Sequence, residues 1–225
     1  MDDLALIRLA SLQALFARVH DSNGETDDQE IDDALGLNRR KTENGLRLGA
    51  LLSKYGNHRM ETGDIPYSVV RDVYRALRLP LDTPITDLGS GYGRIGFYGA
   101  VLWRQPVYGI EIVPERVNEA QRVQESLGLS SLHFQIGDLL AVPWPRVSHY
   151  LVLNSVFPSL MPRVIARLTR IARTRPITIA SISTSNQVFH AQPWLQEHIP
   201  DTPSAKLPAS LRLFTSRAGA LGVAE

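Results

Sequence analysis

Three acids stand where apolar runs end: Asp87 in ITDLGSGYGRIG, Glu111 in VYGIEIVPER and Asp138 in HFQIGDLL. A glycine loop follows the first at once, Gly89-Ser90-Gly91-Tyr92-Gly93, and Gly91, Gly93 and Gly96 fall in G-x-G-x-x-G spacing. Glycine lets a backbone turn tightly and approach a ligand closely. Carboxylates at these places suit the polar parts of a nucleoside. Glu111 can accept from paired ribose hydroxyls, and Asp138 from the exocyclic amine of adenine. A dinucleotide would lay its pyrophosphate on the N-terminus of the helix after the loop. Asp87 would repel that phosphate but would pair an ammonium. S-adenosylmethionine (SAM) has the ammonium and lacks the phosphate, so Asp87 separates the two cofactors where Glu111 does not.

These residues need strand ends to hold them. Strands are expected at Ile85–Leu88, Val107–Ile112, His133–Ile136, Tyr150–Asn154 and Ile177–Ser183, with helices at 92–103, 114–127 and 159–174. Alternating strands and helices argue for a parallel sheet with right-handed crossovers. The segment SAKLPASLRLFTSR reads as a last, antiparallel strand pair. Upstream, apolar residues at helical spacing mark 3–20, the LRLGALLSKYG region and 67–79, the last ended by Pro80. The acidic stretch 21–33 breaks the first helix and begins another. The chain divides into a helical part, 1–64, and an α/β part, 65–225.

Composition bounds the rest. The 225 residues include no Cys, which excludes disulfides, thiolate metal sites and a Cys nucleophile and fits a reducing, cytoplasmic setting. The start MDDLALIRLASLQ has no cationic region of a signal peptide, and no apolar run reaches membrane-spanning length. The six His lack metal-ligand spacing, so no metal is expected. Net charge is +1, split as −4 over 1–64 and +5 over 65–225, too small an asymmetry to argue for nucleic acid. Arg163, Arg167 and Arg170 share one helical face, read here as solvated. Trp144 is read either as a stacking ring or as packing.

DLGSGYGRIG, GIEIVPERV, IGDLL and LNSVF resemble motifs I, post-I, II/III and IV of class I SAM-dependent methyltransferases. The closer resemblance is to the Dot1-like branch, through DLGSG, the G-(I/V)-E strand end, an N-x-x-F motif IV and the helix IPYSVVRDVYRALRL. Met60-Glu61-Thr62 is similar to that branch's Gly-Glu-Thr-Pro loop, with Gly63-Asp64-Ile65 inserted before Pro66. The resemblance implies a Rossmann-like seven-stranded sheet, mostly parallel with the last strand antiparallel, and an N-terminal helical extension. It implies SAM as cofactor, held by Asp87, Gly89, Ser90, Gly91, Gly93, Glu111, Ile112, Asp138, Leu139 and Asn154. Asp138 also reads as the N-cap of a short helix, and Asn154–Phe157 as a plain strand-to-helix loop. The sulfonium methyl is already activated, so alignment is the main task; alignment can account for about 7–11 kcal/mol of barrier. A general base is optional. Glu61, Tyr55 and Asn154 are the catalytic candidates, with His58 beside them. The acceptor is expected to be an N or O nucleophile of a small molecule, peptide or protein side chain. An NAD(P)-dependent oxidoreductase and a non-catalytic SAM-binding module are the alternatives.

Overall fold

The computed structural model describes residues 3–55, 65–206 and 210–217. Helices α1 (Asp3–Asp21), α2 (Asp28–Leu35), α3 (Arg39–Asn44), α4 (Gly49–Tyr55) and α5 (Tyr67–Leu77) come first. Then follow β1 (Ile85–Leu88), α6 (Arg94–Trp103), β2 (Val107–Glu111), α7 (Pro114–Leu127), β3 (Leu132–Ile136), β4 (His149–Leu153), α8 (Met161–Ala172) and β5 (Thr178–Ile182). The chain continues through α9 (Ser185–His190), β6 (Leu195–His198), a 3-10 turn (Pro203–Lys206) and β7 (Arg212–Ser216).

Local chemistry sets the ends. Asp27 caps α2 by accepting from the Glu30 amide, and Gly36 closes that helix in the left-handed region, φ 72°. Pro114 starts α7, where its missing N–H costs nothing, and Gly128 ends it at φ 62°.

The strands form one seven-stranded sheet in the order β3-β2-β1-β4-β5-β7-β6. Every pairing from β3 to β5 is parallel, and β7 runs antiparallel to both β5 and β6. The order reverses between β1 and β4, and ligands bind outside the carboxyl ends of strands at such a switch point.

Alternation along the strands feeds two apolar layers. Leu151 and Leu153 of β4 join one layer with α1, α2, α5, α6 and α7. Tyr150 and Val152 face the other, with Met161, Val164 and Leu168 of α8 and Phe189 of α9. Leu12 and Phe16 of α1 and Ile31 and Leu35 of α2 are buried in the first layer beside Tyr67, Phe97 and Tyr98. The N-terminal helices thus share the sheet's core instead of closing one of their own.

The expected antiparallel pair within SAKLPASLRLFTSR needs correction. Residues 203–206 form the 3-10 turn, and among the described residues of the segment only Arg212–Ser216 is strand; its partners are β5 and the distant β6. Leu195–His198 was missed because LQEH carries three polar residues and no apolar run. Helix α3, RRKTEN, was missed for the same reason. Among the described residues no helix is long and apolar enough to cross a membrane.

Candidate cofactor site

The three acids and the glycine loop meet at the carboxyl ends of β1, β2 and β3. Asp87 lies on β1 one residue before its end, and Glu111 is the last residue of β2. Asp138 follows β3 by two residues. Gly89, Gly91 and Gly93 all have positive φ, at 89°, 54° and 80°. Close approach requires two of them. A Cβ on Gly89 would lie 2.4 Å from the Ser155 Cβ, and one on Gly93 would lie 2.4 Å from the Phe134 ring. A Cβ on Gly91 would meet nothing within 4 Å, so this glycine borders open space.

Asp87 is 5% exposed. Burial, with the Glu111 carboxylate as the second cause, pushes its pKa from 3.8 up to about 7. A cation bound beside it would relieve both causes; a phosphate would add to the second. Glu111 holds the loop from below. Its Oε2 accepts from the Gly91 amide at 3.0 Å and its Oε1 from the Val113 amide at 2.9 Å. Each oxygen keeps a further lone pair for a hydroxyl. The Ser90 Oγ is buried without a hydrogen-bond partner among the described residues. Ile112 is half-buried and links Glu111 to Val113.

Asp138 builds a turn. Its Oδ1 accepts from the Leu140 amide at 2.8 Å, and its carbonyl accepts from the Ala141 and Val142 amides. Leu139 offers its carbonyl to the Trp144 Nε1 at 2.9 Å and to Arg167 Nη1 at 2.8 Å. The Arg167 guanidinium lies 4.2 Å from the centre of the Trp144 ring, so that ring packs under an arginine.

Asn154 follows β4, exposed and at φ 57°, in the left-handed region that Asn tolerates better than most residues. The next residue, Ser155, donates through Oγ to the Leu88 carbonyl, which fastens the end of β1 to the loop after β4. Glu61 and His58 lie outside the described residues. Tyr55 is the last residue of α4, and its side chain lies outside them too.

The sequence reading missed the frame that holds the glycine loop from the N-terminal side. Arg94, directly after Gly93, is 8% exposed and donates from Nε to Asp32 Oδ1 at 3.1 Å, with Nη2 bonding Asp32 Oδ2. Its Nη1 reaches Asp28 Oδ2 and the Ile65 carbonyl, each at 3.0 Å. Tyr67 donates to Asp32 Oδ1 at 3.0 Å. Tyr92, within the loop, donates to Glu43 Oε1 at 2.6 Å, and Arg116 of α7 pairs the same carboxylate at 2.9 and 3.2 Å. Burial works against the Glu43 charge, yet Arg116 and Tyr92 hold its pKa below the ordinary value. One signal was available: Arg94 sits inside the glycine motif, and the acid cluster 21–33 has no other evident task. Nothing in the spacing says that the two meet.

A family model described as a methyltransferase domain matches residues 81–205. A protein-L-isoaspartate O-methyltransferase of Picosynechococcus sp. is 25% identical over 128 residues, 56% of this chain. The match spans 55% of that relative's length, about half of it. Two solved structures share the fold. A precorrin-6y C5,15-methyltransferase from Geobacter metallireducens superposes with a TM-score of 0.52 at 11% identity, covering 70% of this chain and 91% of that one. A SAM dependent methyltransferase from Aquifex aeolicus gives 0.50 at 14% identity, covering 65% and 88%.

Proposed function

The chain belongs to the methyltransferase domain family, as a class I, SAM-dependent member, and from that premise we propose that it transfers a methyl group to an N or O nucleophile presented at the carboxyl edge of its sheet. The observation that carries the site is Asp87. It is a buried carboxylate held near pKa 7, beside a glycine that borders open space. Such a group fits a bound ammonium and argues against the pyrophosphate of NAD(P).

In this reading Asp87 takes the ammonium of SAM, Glu111 the ribose hydroxyls and Asp138 the adenine amine. Gly89, Ser90, Gly91, Gly93, Ile112 and Leu139 contribute the loop and strand-end contacts to the cofactor. The bound cofactor supplies an activated methyl, so the chain's own work is alignment and exclusion of water. Asn154 and Ser155, on the β4 side of the switch point, border the acceptor. Glu61 and Tyr55 are candidates for positioning it or taking its proton. In this scheme 1–64 is the lid or substrate region, its helices α1 and α2 packed into the sheet's core and not hinged over it, and 65–225 is the cofactor-binding part. Acceptors on small molecules, peptides and protein side chains all fit an N or O nucleophile. The Dot1-like resemblance of the four motifs adds protein lysine to them.

Isothermal titration tests the core of this proposal. Wild type should bind SAM and S-adenosylhomocysteine but not NAD, and Asp87→Ala should lose SAM binding while its circular dichroism stays native. A wild-type protein that ignores SAM, or an Asp87→Ala protein that binds it unchanged, overturns the assignment.

A further inference from the structure

No Asp or Glu occurs between Asp138 and Glu197, a stretch that holds six arginines and no lysine: Arg146, Arg163, Arg167, Arg170, Arg173 and Arg175. The fold spreads this excess over one flank. The apolar side of α8, Met161, Val164, Ile165 and Leu168, is buried against the sheet. Arg163, Arg170 and Arg173 are exposed on the other side, and Arg146 is exposed in the loop before β4. Among the described residues none of these four has an acid within ion-pair distance. The bordering acids are engaged elsewhere: Asp138 in its turn, and Glu197 by Arg212 at 3.1 Å and by His190. Two arginines anchor the flank. Arg167 is seated on Trp144, and Arg175 donates to the Val147 carbonyl at 2.8 Å and to the Tyr150 hydroxyl at 3.2 Å.

We infer that the exposed arginine face of α8 docks a single strand of RNA and leads it to the methyl-transfer edge. The inference rests on the proposed methyl transfer to an N or O nucleophile and goes beyond the acceptors named above, to RNA. Three features select this partner. First, Arg163 and Arg173 are ten residues apart, about 15 Å along the helix, so the charges do not converge on one small anion. They match a chain of phosphates, and guanidinium binds phosphate bidentately. Second, the row begins beside the site, because Arg163 follows the Asn154–Pro158 loop that borders the cofactor edge. Third, a flexible single strand can follow a convex helix and present unstacked bases and 2′-hydroxyls, which are N and O nucleophiles. Duplex DNA would first have to flip its base out.

Fluorescence anisotropy with the full-length protein, SAM and a labelled oligouridylate of about 12 nucleotides, within the usual range of single-strand site sizes, tests this. The Arg163→Gln/Arg170→Gln/Arg173→Gln protein should bind about fiftyfold more weakly at 0.15 M salt, and its slope of log K against log salt should be shallower by about 2. Both figures follow from losing three phosphate contacts at about 0.7 each. A SAM-induced thermal shift equal to that of wild type controls for folding, and Arg173→Gln alone, expected to be about fourfold weaker, serves if the triple variant is unstable. Equal affinity and slope in variant and wild type overturn the inference. So does tighter binding of poly-glutamate, which would mark an acidic protein surface, or of duplex DNA. Salt-sensitive self-association without RNA binding would assign the face to a second copy of the chain and also overturn it. RNA binding by a protein that ignores SAM would sustain the face while removing the methyl-transfer reading beneath it.

Discussion

Arg94 and Arg170 lie on helices that cover opposite faces of one sheet, and their surroundings are opposite too. Arg94 is enclosed: Asp32, Asp28 and a backbone carbonyl satisfy its donors, and the Tyr67 ring lies 4.9 Å from its guanidinium. Arg170 is exposed, with no acid beside it among the described residues. The difference follows from where the acids are. Two acids of the 21–33 stretch, Asp28 and Asp32, fold back onto Arg94 of α6 and spend their charge beside the glycine loop of the candidate cofactor site. Among the described residues no acid pairs with the exposed arginines of α8, so their charge acts outward. On the first flank charge fixes geometry; on the second it creates a field. The net charge of +1 conceals both, because it averages a neutralised region with an uncompensated one.

The comparison breaks most easily at Asp32. Replacing it by Ala leaves the buried Arg94 without its bidentate partner, and breaking a buried pair in this way costs about 3–5 kcal/mol. Thermal and urea unfolding should show that loss, and SAM affinity should fall with it because Arg94 adjoins Gly93. A loss under about 1 kcal/mol, the range of exposed pairs, would mean that the two flanks do not differ in kind.

Asp87 sharpens the contrast, since it is buried like Asp32 but the one charge acting on it among the described residues is the repelling Glu111. Its pKa is raised in the folded state, so the sign is the reverse of a salt-bridged acid. Its cost to stability is absent below pH 3.8, grows as pH rises and is complete above about 7. Asp87→Asn should therefore stabilise the cofactor-free protein at pH 8, by an upper bound on the order of 4 kcal/mol for a shift of about three units, and should flatten its melting temperature between pH 4 and 7. For wild type, the SAM-induced thermal shift should increase over the same rise in pH. A mutant no more stable than wild type at pH 8 would show that Asp87 is solvated or paired.

The smallest effect belongs to Arg170. Arg170→Gln should change folding stability by no more than about 0.5 kcal/mol, as for an exposed side chain without partners. Chemical unfolding that shows a loss above 1 kcal/mol would place this arginine in the structural class of Arg94.

Legibility in the sequence followed the same line. Strands β1, β2, β4 and β5 announce themselves as apolar runs because both of their faces are covered, whereas the edge strand β3 alternates and is marked mainly by its place in the strand–helix order. Asp87, Glu111 and Asp138 were therefore visible from type and position, as was the reversal to a final antiparallel strand. The edge strand β6 alternates exposed and buried residues and has no such run. The Arg94–Asp32 pair joins residues 62 apart, and only the docking of α1 and α2 onto α6 brings them together. The arginines around α8 were visible as a cluster, but that Arg167 is seated on Trp144 while Arg163, Arg170 and Arg173 have no acid partner among the described residues is a property of the fold.

The position of β7 between β5 and β6 has a consequence during synthesis. As the chain emerges from its N-terminus, β6 appears before the strand that must separate it from β5. Until Arg212–Ser216 arrives, the open edge of β5 offers unpaired N–H and C=O groups to β6 itself or to any other strand nearby. Pairing of β6 directly with β5 would have to be undone before the sheet could close. The contact that secures the closed form also comes late: Asp72 of α5 accepts from the Ser204 amide and hydroxyl, at 2.8 and 2.6 Å, across 132 residues of chain. Chains cut after β6 should accordingly aggregate.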